Sequence, residues 1–377
     1  MLLTLGLILF VCLVIVHEYG HLRAARKGGI VVEEFGVGFP PKVLGKKLKS
    51  GMLLTFNLLP LGGFVRLKGE HDADKEPGSY GAASLKTKVK VLLAGVFMNL
   101  AVAIGILTLL ALIGTPQLFD NQFTYKSDEK IARHDILVGY VEPGSPAEKA
   151  GLKLNDKLIA TGGTTCGSES GLCKNVNSST YLVSETEAYQ GLPLNIKYER
   201  DGKAAIAKVQ LRTREEVERS KKTETPKGYL GIGPTEYTVK RYTWSAPIVA
   251  VGETAQFTYL TLRGIGTAIG SVFSGNGGEA AKQVSGPVGI FVLIKDGSLL
   301  GYQFILMIIA IISLTLAIMN ALPIPALDGG KLFITLLYRA LKKPLDENTE
   351  SIIHGLGFVF LMLLFVVITV VDIKKYF

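Results

Sequence analysis

Cysteine is scarce in this chain: three residues among 377, none in a Cys-x-x-Cys spacing. A thiolate zinc ribbon or an iron–sulfur cluster is therefore excluded. Charge is thin as well, since Asp, Glu, Lys and Arg make up 19% of residues. A net charge of +9 without a basic patch interleaved with aromatics does not read as a nucleic-acid footprint. Histidine is limited to five residues, so any metal site has few imidazoles to draw on. What the chain has in plenty is apolar residues, 48% of the total, with a mean hydropathy of +0.34.

These apolar residues come in four blocks: Leu2 to Leu22, Val89 to Ile113, Tyr302 to Leu322, and Ile352 to Val371. Each has the length a helix needs to cross a hydrocarbon core. The first lacks the basic leader and small-residue cleavage site of a signal peptide, so it reads as a retained span. Arg23, Arg26, Lys27, Lys42, Lys46, Lys47 and Lys49 follow that span, and Lys86, Lys88 and Lys90 introduce the second. The positive-inside rule puts this loop on the cytoplasmic side, together with Arg339, Lys342 and Lys343. The long stretch between spans two and three is then external, where Cys166 and Cys173 are free to pair or to remain thiols. Lys374 and Lys375, external by this reading, run against the rule.

Composition divides the rest. Leu53 to Lys68 alternates β-formers around Pro60 to Gly63 and predicts a membrane-associated β-hairpin with its turn there. Short strand-like runs (Ile136 to Val141, Leu194 to Tyr198, Ala204 to Leu211, Tyr229 to Ile232) and a short helix at Ala147 to Gly151 predict a small mixed β domain. Arg214 to Gly228 is dense in charge and reads as solvated loop. Ala246 to Phe273 is a semi-apolar helical stretch, interfacial or spanning, broken at Gly275 to Gly278. The expected organisation is an N-terminal membrane core over 1–127, an extracytoplasmic domain over 128–238, a juxtamembrane segment over 239–301 and a C-terminal membrane core over 302–377.

The chemical signal is His17-Glu18-Tyr19-Gly20-His21. Residues four apart share a helix face, so both imidazoles reach one ion while Glu18 stands beside them as a general base. A charged group at mid-bilayer costs about 2.5–3.5 kcal/mol, so such groups inside a span call for a function. A catalytic zinc takes three protein ligands and leaves one position open. His71, His134 and His354 are candidates for the third, but Asp328 is better placed. It closes Asn320-Ala-Leu-Pro-Ile-Pro-Ala-Leu-Asp328-Gly-Gly330, a broken segment after the third span. Non-helical backbone at that depth is tolerated where it lines a cavity. By the charge-derived topology, spans one and three end on the same side.

The pair of HEYGH and NALPIPALDGG resembles the site-2 protease family of intramembrane zinc metalloproteases, in particular the bacterial branch that cleaves anti-sigma factors (the regulator of sigma-E protease-like branch). The likeness covers most of the chain. Gly36 to Lys42 is similar to the family's glycine-rich segment, Pro60 to Gly69 to its membrane-inserted hairpin, and Ala94 to Leu100 to its second span. Val141 to Asp156 is similar to a PDZ core, and Ser285 to Ile290 to a further family segment. The resemblance implies a polytopic α-helical membrane protein of about four spans, with one extracytoplasmic PDZ-like α+β domain, in a bacterial cytoplasmic membrane. It implies one zinc ion per chain on His17, His21 and Asp328, Glu18 as catalytic base, and single-span membrane proteins as substrates. Asn320 and the hairpin residues Gly62, Gly63, Phe64 and Val65 are expected to hold the substrate extended by strand addition. A non-catalytic scaffold recruiting partners through the PDZ-like domain is the rival reading, and the complete His17, Glu18, His21 and Asp328 set opposes it.

Overall fold

The computed structural model describes the chain except residues 165, 167–171, 224 and 276–284. It divides into two compact units: residues 1–113, 121–128 and 243–377 in one, residues 114–120 and 129–242 in the other.

The first unit opens with α1 (Leu2–Lys27), followed by β1 (Val32–Lys47), β2 (Leu53–Leu67) and α2 (Leu85–Ile113). α1 and α2 cross closely because Gly20 faces the backbone of Ala94, where a Cβ would come within 2.7 Å of the carbonyl oxygen. The expected hairpin within Leu53 to Lys68 is not what forms. Its two arms do not pair with each other; both pair with β1. Gly63 to Leu67 lies along Val32 to Val37, with Phe35 opposite Val65, while Leu53 to Phe56 lies on the other side, with Phe35 opposite Leu54. Leu53 to Asn57 also pairs outward with Lys42 to Lys47. The chain thus makes a ribbon of four segments, in which Gly63 to Leu67 has β1 on one side only. Phe35, Val32 and Met52 pack with Leu22, Val91 and Leu92 and so seat the ribbon on α1 and α2.

The second unit holds β3 (Thr115–Pro116), β4 (Lys130–Val141), α3 (Pro146–Lys149), β5 (Lys157–Gly162), β6 (Lys174–Asn175), α4 (Ser179–Ala188), β7 (Pro193–Arg200), β8 (Lys203–Gln210), α5 (Arg214–Ser220) and β9 (Ile232–Arg241). Its sheet has the order β3-β9-β4-β5-β7-β8, with β6 on β5. Ile136, Val138, Leu158, Leu182, Leu194 and Ile196 are among the residues that fill its core. Arg214 to Gly228 is not all loop: Thr213 and Glu216 form a reciprocal capping box that starts α5. Tyr229 to Ile232 is not a strand either, since β9 begins at Ile232. Cys166 and Cys173 are joined in a disulfide.

The chain returns to the first unit with α6 (Ala246–Phe273), α7 (Pro287–Gly297), α8 (Tyr302–Ala321), α9 (Asp328–Ala340) and α10 (Glu347–Tyr376). The expected break at Gly275 to Gly278 falls mostly outside the described residues. Asp128 receives the backbone N–H groups and hydroxyls of Thr243 and Ser245 just before α6. Among the described residues, four helices are long and apolar enough to cross a membrane: α1, α2, α8 and α10.

Candidate metal centre

α1 carries His17 and His21 one turn apart, with ring centroids 4.8 Å from each other. Both are only 8% exposed. The third member arrives from 311 residues away in sequence through a tight reversal. α8 ends at Ala321, and Pro323 and Pro325 keep the chain out of helix before α9 starts. Ala326 adopts a positive φ of 75° in that reversal. A Cβ at Gly330 would lie 1.9 Å from the Ile324 carbonyl oxygen, and one at Gly329 2.4 Å from that of Leu322. The two glycines after Asp328 are therefore what allow the reversal to fold down on α9 and aim Asp328 at α1.

Asp328 Oδ2 lies 3.2 Å from His17 Nε2 and 3.1 Å from His21 Nε2. The two Nε2 atoms are themselves 3.2 Å apart. His21 Nδ1 donates to the carbonyl oxygen of Val91 at 2.8 Å, which in the neutral ring leaves the lone pair on Nε2. Asp328 Oδ2 is buried, and its close partners are the two imidazole Nε2 nitrogens. Bare nitrogen and carboxylate lone pairs held this close repel unless a proton or a metal cation lies among them. Ligands about 2.0–2.1 Å from a tetrahedral ion stand about 3.3 Å apart, which is close to the triangle found here. The donor set of two imidazoles and a carboxylate suits zinc. No other cluster of three or more His, Cys, Asp or Glu capable of holding a metal occurs among the described residues.

The trio lines a cavity of about 420 Å³ with Glu18, Gly62, Gly63, Val65, Asn99 and Asn320 among its walls. Glu18 faces the backbone of Val65, and its Cγ lies 3.2 Å from where a Cβ on Gly63 would be. Asn320 lines the same space, its side-chain amide donating to the carbonyl of Leu316. Phe64 does not line the cavity; its ring covers Gly36 on the neighbouring strand. His71 and His354, weighed as ligands, line a second cavity of about 430 Å³ with Glu350 and Lys331. His134 belongs to the other unit, bonded to Thr238 and the carbonyl of Asn177.

Sequence reasoning passed over four contributors. Gly95 on α2 lies so near the histidines that a Cβ would come within 2.5 Å of both. Val91 and Asn99 flank it one turn to either side, and a polar Asn in mid-span was the available signal. Lys331 reaches back from α9 to the carbonyl of Glu70, whose carboxylate accepts the N–H of Leu67 at the end of β2. Its Nζ also lies over the ring of Tyr80, whose phenol is pushed above its ordinary range by burial beside Asp72 and Glu350.

The sequence matches the family described as Peptidase family M50 over residues 5–364. It is 28% identical to the zinc metalloprotease RasP of Geobacillus kaustophilus (strain HTA426), covering 98% of this chain and 97% of that protein. It is 26% identical to the zinc metalloprotease RasP of Shouchella clausii (strain KSM-K16), covering 98% of each. A match across almost all of its length, around a buried triad with the dimensions of a zinc site, makes this chain a member of peptidase family M50, the site-2 protease family, and a zinc metalloprotease of the membrane.

Proposed function

We propose that this protease hydrolyses peptide bonds within or near the transmembrane segments of other membrane proteins, with one zinc ion on His17, His21 and Asp328 and with Glu18 as the base. The observation that carries the reading is the convergence of His17 Nε2, His21 Nε2 and Asp328 Oδ2 at 3.1–3.2 Å on the wall of a cavity cut into apolar helices. Zinc, when bound, supplies Lewis acidity toward the scissile carbonyl and toward water. Glu18 accepts the proton of the attacking water and delivers it to the leaving amine as the C–N bond breaks, giving a carboxylate and an amine. The neighbouring Val65 backbone orients that carboxyl.

A helical substrate shields its carbonyls by hydrogen bonding, so the cleaved segment has to be drawn out. The segment Gly63 to Leu67, with Gly63 and Val65 on the cavity wall, pairs with β1 on one side and offers the other edge, which no strand covers, for strand addition. Asn320 serves as a further contact to the substrate backbone. The unit built on β3 to β9 is a PDZ-like domain on the extracytoplasmic side of a bacterial cytoplasmic membrane, where it excludes substrates with bulky external parts. The metal site lies toward the cytoplasmic side, as the basic residues following α1 support.

The test is cleavage of a tagged single-span substrate in detergent by wild type and Glu18→Gln, with zinc measured in both. Zinc in both and cleavage by wild type alone is expected. Cleavage by both would remove Glu18 from the chemistry, and absence of zinc from both would overturn the site.

A further inference from the structure

α2 presents Val91, Gly95 and Asn99 to the metal centre, each four residues from the last and so on one face. Val91 accepts from His21 Nδ1, and Gly95 leaves room for both rings. Asn99 completes the stripe opposite His17: its side-chain amide is 3.4 Å from His17 Nδ1. Asn99 is 1% exposed, and its Oδ1 is buried with no hydrogen bond. An orphaned buried acceptor is costly, so an amide oxygen placed there calls for a donor.

The oxygen and nitrogen of an amide exchange places by a half-turn that leaves the shape unchanged. With that turn Oδ1 faces His17 Nδ1, which carries a proton whenever Nε2 serves a metal. One rotation thus gives the oxygen its donor and leaves the lone pair of His17 on Nε2, toward Asp328 and His21. The residue is anchored for this purpose. Its own carbonyl accepts the hydroxyl of Ser313, fully buried on α8, at 2.8 Å. α8 is the helix that runs on to Asn320 and the reversal carrying Asp328.

We infer that Asn99 is a positioning residue for the metal centre: its side-chain oxygen accepts the Nδ1 proton of His17 and so fixes the ring orientation and tautomer. It does for His17 what the Val91 carbonyl does for His21. The inference rests on the reading of His17, His21 and Asp328 as zinc ligands. Outer partners of this kind change metal affinity by about 10- to 100-fold when removed.

The experiment is a chelator competition that measures zinc affinity in detergent, joined to the visible spectrum of the cobalt(II)-loaded protein. It compares wild type with Asn99→Leu, of similar size without an acceptor, and Asn99→Asp, which retains one. Asn99→Leu should lose about 10- to 100-fold in zinc affinity and alter the cobalt bands. Asn99→Asp should recover both. Should Asn99→Leu fail to fold, Asn99→Ala removes the acceptor without filling the space, and the same loss is expected. Wild-type affinity and spectrum in the acceptor-less variant would overturn the inference, as would an equal loss in Asn99→Asp, which would mark a packing role. A wild type that takes up no zinc would overturn the ligand reading itself, and the inference with it.

Discussion

A methyl group added at Gly95 tests the closeness of α2 to the candidate metal centre. Its Cβ would lie 2.5 Å from His17 Cε1, 2.5 Å from His21 Nε2 and 2.7 Å from His17 Nδ1. Comfortable separation is about 3.5–4.0 Å, so the rings or the helix must yield by roughly 1 Å. Neither imidazole is a flexible side-chain end if it is a metal ligand. Overpacking of this degree costs about 1–3 kcal/mol, set against about 1 kcal/mol gained in helix propensity. Since His21 Nε2 faces the proposed ion, the cost should appear as zinc affinity, about 5- to 150-fold weaker. Gly105 on the same helix is the matched control, because a Cβ there meets nothing within 4 Å. Gly105→Ala should bind zinc as wild type does. Both variants are measured by chelator competition in detergent, with thermal unfolding alongside. Wild-type zinc affinity in Gly95→Ala would refute the geometry from which this argument starts.

Replacing Val65 with proline removes a backbone N–H on the cavity wall, the one that faces Glu18. Turnover of a membrane substrate should drop about tenfold, the worth of one lost main-chain hydrogen bond near the upper end of its range, with zinc content unchanged; lost zinc would point to misfolding instead. Glu253, 1% exposed on α6, is raised from an ordinary 4.5 to about 7 by burial, opposed by the hydrogen bond from Gln122. Between those two values the folded chain keeps a proton that the unfolded chain releases, so stability should fall as pH rises from 5 to 8, by an amount on the order of 3 kcal/mol. Glu253→Gln should flatten that slope and melt above wild type at pH 8, and parallel melting curves for the two proteins would contradict it.

Parts of the molecule were legible because they are set locally. The four helices long and apolar enough to span follow from runs of apolar residues, since a helix satisfies its own backbone in lipid and hydropathy suffices to find it. The spacing of His17 and His21 fixes their common face through the helical period alone. The capping box at Thr213 and Glu216 was equally local, but the surrounding charge masked it as loop.

Tertiary structure decided what depends on partners far away in sequence. Leu53 to Lys68 has the pattern of a hairpin, yet alternation records only that one face is covered and is silent about which strand lies alongside. The insertion of Val32 to Val37 between its two arms was therefore invisible, and with it the edge of Gly63 to Leu67 that no strand covers. In the same way, a glycine and an asparagine in an apolar span look like a packing notch and a stray polar group. Only the crossing of α1 over α2 brings Gly95 to both histidines and Asn99 to His17. The sequence by itself determined the spans and the shared face of His17 and His21, because a helix repeats every 3.6 residues whatever surrounds it. The distances that turn those residues and Asp328 into a site came from helix packing and the reversal before α9, where contacts between distant segments set the geometry.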